Sequence, residues 1–107
     1  MSANPLQGKT MRWTFTEGQM ANKTFEHSFD KEGGVTFREL GDDKESKPAH
    51  AKKCEVATVG EDVDAVSYLA SSGYTLTTVL DYRTGKLVAF ASNEKELSVH
   101  KGTFEIA

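Results

Sequence analysis

The stretch Tyr74-Thr75-Leu76-Thr77-Thr78-Val79-Leu80-Asp81-Tyr82-Arg83-Thr84-Gly85-Lys86-Leu87-Val88-Ala89-Phe90-Ala91-Ser92 decides the fold class. Tyr74 to Tyr82 is dense in Thr, Val, Leu and Tyr, residues whose branched or aromatic side chains suit a pleated surface. Arg83-Thr84-Gly85 makes a tight turn, and Leu87 to Ser92 continues as a second strand. Working outward, Asn93-Glu94-Lys95 leads into a strand from Leu97 to Ile106. Upstream, Lys52 to Val59 is closed by Gly60-Glu61-Asp62, and Val63 to Leu69 by Ser71-Ser72-Gly73. Gly102 is expected to mark a bulge, because the apolar parity changes between Val99 and Phe104.

The first half alternates with period two rather than 3.6. Met11, Trp13 and Phe15 share one face, with Arg12, Thr14 and Thr16 on the other. Phe25, His27 and Phe29 lie opposite Thr24, Glu26 and Ser28. Glu32-Gly33-Gly34 turns the chain into Val35, Phe37 and Glu39, which alternate with Thr36, Arg38 and Leu40. Gly41 to Pro48 has neither an apolar residue nor a period and is read as a solvated loop. Its Asp42, Asp43 and Glu45 lack the spacing of a calcium loop, and Lys44 and Lys47 lack a glycine cradle for phosphate.

About eight strands in a meander would leave two long edges, each a template for aggregation. Closure removes both, and about eight strands is the size whose interior holds side chains or one small ligand. A single all-β domain over residues 1–107 is therefore expected, an up-and-down antiparallel barrel of the lipocalin (calycin) type. A two-sheet sandwich is the competitor, but nothing signals long Greek-key crossings. The 37% hydrophobic content suits one packed interior, and no stretch approaches the ~20 apolar residues of a membrane helix. Met1 to Thr10 lacks an apolar signal core, and the lone Cys54 fits a reducing compartment, so a cytoplasmic location is expected. The sequon at Asn22 is on that ground a chance match. A formal charge of −3 argues against nucleic-acid binding.

Two segments carry a family resemblance. Residues 8–18 (GKTMRWTFTEG) resemble the opening strand of the MoaF-like proteins in the calycin superfamily, and residues 71–93 resemble that family's central hairpin. The resemblance implies a calycin barrel and an association with molybdenum cofactor biosynthesis rather than a particular reaction. The barrel is also similar to that of the phenolic acid decarboxylases, whose first strand grips the substrate carboxylate with two tyrosines. Those positions fall on Trp13 and Phe15, which have no hydroxyl. Arg38 matches that family's strand-three arginine, and Glu61 matches its acid only loosely. The likeness keeps the shape and loses the chemistry, so no catalytic residue is assigned, and a decarboxylase-like enzyme stays as the least favoured of the alternatives.

The chemistry that remains is that of a pocket. Trp13, Phe15, Phe25, His27, Phe37, Arg38, Tyr68 and Tyr74 are the candidate ligand-binding residues, with His27 or Arg38 orienting a small hydrophobic or aromatic molecule. No spacing makes His27, His50 and His100 a metal set, and no cofactor is expected. Cys54 is expected to be a buried, inert thiol. The alternative function is an interaction protein with a filled interior, pairing through its outer face with a second copy.

Overall fold

The computed structural model describes residues 6–18, 21–40, 48–51, 53–70 and 72–106. The protein is all-β, and the described residues contain no helix, hence none long and apolar enough to cross a membrane. Among the described residues nine strands form one antiparallel sheet: β1 (Thr10–Glu17), β2 (Thr24–Phe29), β3 (Val35–Leu40), β4 (Ala49–Ala51), β5 (Cys54–Gly60), β6 (Val63–Leu69), β7 (Thr75–Asp81), β8 (Lys86–Ser92) and β9 (Leu97–Ile106). Their spatial order is β4-β3-β2-β1-β9-β8-β7-β6-β5. The chain is thus an up-and-down meander whose last strand returns to its first. The seam lies in mid-chain, between β4 and β5, where the Cys54 amide donates to the Gly33 carbonyl at 3.2 Å. This nearly closed barrel is the predicted architecture with one strand added. β4 has three residues, too few to show a period, and it pairs Ala49 and Ala51 with Phe37 and Val35. The solvated loop read over Gly41 to Pro48 falls, up to residue 47, outside the described residues.

Alternation decides what faces inward, because successive side chains of a strand point to opposite sides of the sheet. Met11, Trp13 and Phe15 of β1, His27 and Phe29 of β2, and Val66 and Tyr68 of β6 are buried. Their strand neighbours form the outer face. Arg12, Glu26 and Arg38 are directly paired across β1, β2 and β3, and Glu26 binds both arginines. Thr10–Ser28 and Thr14–Thr24 hydroxyl pairs flank that ladder. Exposed ion pairs of this kind contribute about 0–1 kcal/mol each, so they set register more than stability.

One end of the barrel is plugged. Leu6 is buried in the core, and the turn behind it is tied down by Gly8 and Lys9, whose amide and carbonyl respectively bond Phe29 at 2.8 and 2.9 Å. Met11, Phe29, Val35, Leu80 and Leu87 pack at this same end. Tyr82 and Phe104 close it further, edge to face at 5.2 Å. The opposite end has no such stopper among the described residues.

The bulge predicted at Gly102 lies instead on the facing strand. β9 keeps its alternation, with Val99 outward and His100, Gly102 and Phe104 inward; the register shift falls in β1, between Phe15 and Glu17. Gly102 itself is demanded by proximity. A Cβ there would lie 2.1 Å from the Thr14 carbonyl oxygen and 2.8 Å from Phe15 Cα, both backbone atoms that cannot swing aside. Gly102→Ala should therefore destabilise the barrel by about 1–3 kcal/mol, the usual range for overpacking. Gly60→Ala, where a Cβ meets nothing within 4 Å, should stay within about 0.5 kcal/mol of wild type. Urea titrations of the two variants compare them directly, and equal losses would contradict the close approach of β1 to β9.

Candidate functional site

The unplugged end opens into a cavity of about 630 Å³ running into the barrel interior. Its floor is the pair Trp13 and His27. Cross-strand register sets Trp13 beside Phe25 and His27 beside Met11, so the two rings are diagonal neighbours on the inner face. They stack with centroids 3.8 Å apart and planes 22° apart. Phe37 of β3 stacks on the other side of His27 at 5.6 Å, and Tyr68 of β6 leans on both. The Tyr68 hydroxyl and His27 Nε2 are 2.9 Å apart, a hydrogen bond that spans the seam between the two arms of the meander. Phe15 and Phe25, edge to face at 5.9 Å, complete the aromatic side.

The facing wall is made of smaller side chains: Leu76 and Thr78 of β7, and Ala89 and Ala91 of β8. The space exists because two alanines stand opposite a bank of rings. His100 lines the wall from β9, with Nε2 3.0 Å from the Ser98 hydroxyl. At the mouth, Tyr74 donates to the Glu96 carboxylate at 2.5 Å, joining the β6–β7 turn to the β8–β9 turn. Lys95 and Leu97 stand beside them. Asn93 shapes this rim by accepting bonds from the Lys95 and Glu96 amides at 2.8 and 2.7 Å.

Of the candidates named from sequence, Trp13, Phe15, Phe25, His27, Phe37, Tyr68 and Tyr74 all line this one cavity. Arg38 does not. It follows an inward residue, so strand alternation turns it outward, and it forms hydrogen bonds to Glu26 at 3.1 and 3.3 Å on the outer face. It cannot orient a ligand in the barrel. Glu61, the loose match to the decarboxylase acid, is on an exposed turn beside Arg83. Leu76, Thr78, Ala89, Ala91, Ser98 and His100 were missed; the small pair Ala89 and Ala91, alternating after Leu87, was the signal that could have found the cavity.

The interior is electrostatically quiet. Burial is the dominant cause of a His27 pKa lowered to about 3. His27 is therefore neutral at neutral pH. Burial likewise raises the Tyr68 hydroxyl, which stays protonated. The Cys54 thiol is buried near the plugged end and pushed up to about 11, first by burial and then by Glu55 and Asp30, so it is protonated and unreactive at neutral pH. The three histidines have separate surroundings: His50 pairs with Asp30 on the surface at 3.1 Å, away from His27 and His100. Among the described residues no three His, Cys, Asp or Glu side chains converge as a metal site would require. Trp13 Nε1, His27 Nδ1 and His100 Nδ1 are buried without a hydrogen-bond partner, and all three belong to cavity residues.

The His27 shift fixes a sign for stability. A histidine whose folded pKa is depressed stabilises the fold fully above its unfolded pKa of about 6.5 and loses that contribution as pH falls toward the folded value. Stability should drop between pH 6.5 and about 3, with a His27 share approaching about 1.4 kcal/mol per pH unit in mid-window. His27→Phe retains a ring against Trp13 and removes the titration. Denaturation at pH 7 and pH 4.5 should show a shallower acid loss in the variant than in wild type; equal losses would show that His27 titrates freely.

No protein-family model and no curated protein sequence matches this chain. Among solved structures it is similar to the crystal structure of a protein from Burkholderia vietnamiensis described as a "putative beta-lactamase". The two share 14% identity, superpose with a TM-score of 0.80, and cover 100% of each other's chains. At that identity the likeness establishes a shared fold and carries no activity across.

Proposed function

We propose that this barrel is a binding module that takes one small hydrophobic or aromatic molecule through its open end. One observation carries this: a cavity of about 630 Å³ lies inside the barrel, walled by aromatic rings and small apolar side chains, with its charged groups confined to the mouth. Small-molecule pockets commonly measure ~300–1,000 Å³ and combine such walls with a few polar groups. Three buried ring nitrogens without partners add unsatisfied polarity that a ligand or water could meet after small side-chain movements. Membership of the MoaF-like calycins, resting on residues 8–18 and 71–93, and a cytoplasmic location, resting on a lone reduced cysteine, belong to the same proposal.

A hydrolytic second use has one specific observation in its favour, the Ser98 hydroxyl 3.0 Å from His100 Nε2 in the cavity wall, together with the name borne by the Burkholderia protein. His100 Nδ1 has no carboxylate partner to orient it, and so binding is the better supported function. The decarboxylase chemistry has no support in the cavity, since Trp13 and Phe15 lack hydroxyls and Arg38 and Glu61 lie outside it.

Trp13 is the sole tryptophan and forms the cavity floor, so its fluorescence reports occupancy. Indole- and naphthalene-based ligands should perturb it saturably, with dissociation constants of about 1 μM, equivalent to ~8 kcal/mol. Ala91→Phe should obstruct the cavity and weaken the response at least tenfold while the circular dichroism of the sheet persists. Arg38→Ala should leave the response unchanged. No saturable signal across the panel, or undiminished binding in Ala91→Phe, would refute occupancy of this cavity.

A further inference from the structure

The outer face of β5 to β9 is built unlike the outer face of β1 to β3. Where the latter carries the Arg12–Glu26–Arg38 ladder at its centre, the centre of the former is uncharged, its Asp81 and Lys86 standing one row nearer the plugged end. Cross-strand register arranges that centre in two adjacent rows. One runs Glu55, Ser67, Thr77, Phe90, Val99; the other runs Ala57, Ala65, Val79, Val88, Lys101. Phe90 is 41% exposed and Val99 47%, although both sit in the middle of regular strands. Ser67 and Thr77 bond each other at 2.9 Å, which lowers the cost of covering the centre of the face.

The order within these rows makes the face complementary to itself. β7 is the middle one of its five strands, with β8 and β9 on one side and β6 and β5 on the other. Side chains are large on β8 (Val88, Phe90) and small on β6 (Ala65, Ser67). Charge is basic at the β9 edge (Lys101) and acidic at the β5 edge (Glu55). We propose that this face packs against the same face of a second copy of the chain, about a two-fold axis parallel to the strands and passing over β7.

That axis reverses the order across the sheet. Phe90 then packs on Ser67 of the partner subunit, and Val88 on Ala65 of the partner subunit. Lys101 comes diagonally opposite Glu55 of the partner subunit. Every large-on-small and unlike-charge meeting occurs twice, as an isologous interface requires. Barrel curvature brings β6, β7 and β8 closest and parts the edges, where the long Lys101 side chain can still reach a carboxylate. A second copy is favoured over an unrelated partner because, across these two rows, both size and charge are matched by the face's own opposite half. The interface is on the outer side of the sheet and the cavity on its inner side, so the proposal stands independently of ligand binding.

Sedimentation velocity of the full chain over a range of concentrations tests it. Wild type should dimerise. Phe90→Glu should be monomeric with an unchanged Trp13 emission spectrum, since Phe90 is on the outside and Trp13 on the inside. Lys101→Glu and Glu55→Lys should each weaken the dimer about tenfold by setting like charges together, and the double reversal should restore it. A wild-type monomer up to about 1 mM, the weak end of specific association, would overturn the proposal. So would a dimer indifferent to Phe90→Glu, or single reversals that change nothing.

Discussion

Closure of the meander depends on how near β1 can come to β9. With the Thr14 carbonyl oxygen only 2.1 Å from where a Gly102 Cβ would stand, these strands meet because one residue has no side chain. Among the described residues no other ladder joins the two arms: β4 and β5 end the sheet, and across the seam the Cys54 amide bonds the Gly33 carbonyl. β1 then supplies Trp13 and Phe15 to the interior, and β9 supplies His100 and Ser98. The close approach at Gly102 therefore places the floor of the cavity against one of its walls. The shift in register between Phe15 and Glu17 accommodates the approach by bending β1 near the cavity end.

Inside the barrel, stability and vacancy compete. Filling an interior with apolar volume stabilises it at roughly 25 cal/mol per Å² of surface removed from water. This interior is filled at the end stopped by Leu6 and left open at the other. It also holds His27, whose neutral ring is 2% exposed and makes one side-chain hydrogen bond, to Tyr68. A buried polar ring beside a cavity is a poor choice for packing alone, because an unpaired nitrogen in low dielectric carries a desolvation penalty of about 1–3 kcal/mol. Its stacking between Trp13 and Phe37 and its bond across the seam offset part of that penalty. The arrangement makes a rigid aromatic floor under the open space.

Alternation made most of this legible beforehand. Trp13, Phe15, Phe25, His27 and Phe37 could be assigned to one interior because each is an aromatic ring between polar neighbours, and period two leaves little freedom in the choice of face. Arg38 was misplaced because a likeness to another family was allowed to outrank that parity; as the neighbour of Phe37 it had to point outward. β4 is too short to have a period and owes its place to pairing with Val35 and Phe37. At Gly102 the glycine was visible, but which of two facing strands would yield was not, since that depends on the partner's path. The cavity itself was the least readable feature. A void is volume that side chains fail to supply, and Ala89 and Ala91 acquire meaning only once the rings opposite them are placed.

β8 unites these themes. On its inner side it carries Leu87, Ala89 and Ala91, and on its outer side Val88 and Phe90. A strand selected for the stability of a solitary barrel would do the reverse, placing its largest ring inward, where burying it contributes about 1.5–3 kcal/mol, and its alanines outward. Exchanging the two faces would fill the cavity with Phe90 and leave the outer surface inert. Beyond Leu87 the strand keeps its large side chains out and its small ones in, so the same alternation that opens the interior also exposes apolar surface outside. The proposed ligand surface and the proposed dimer surface are thus the two sides of one seven-residue strand.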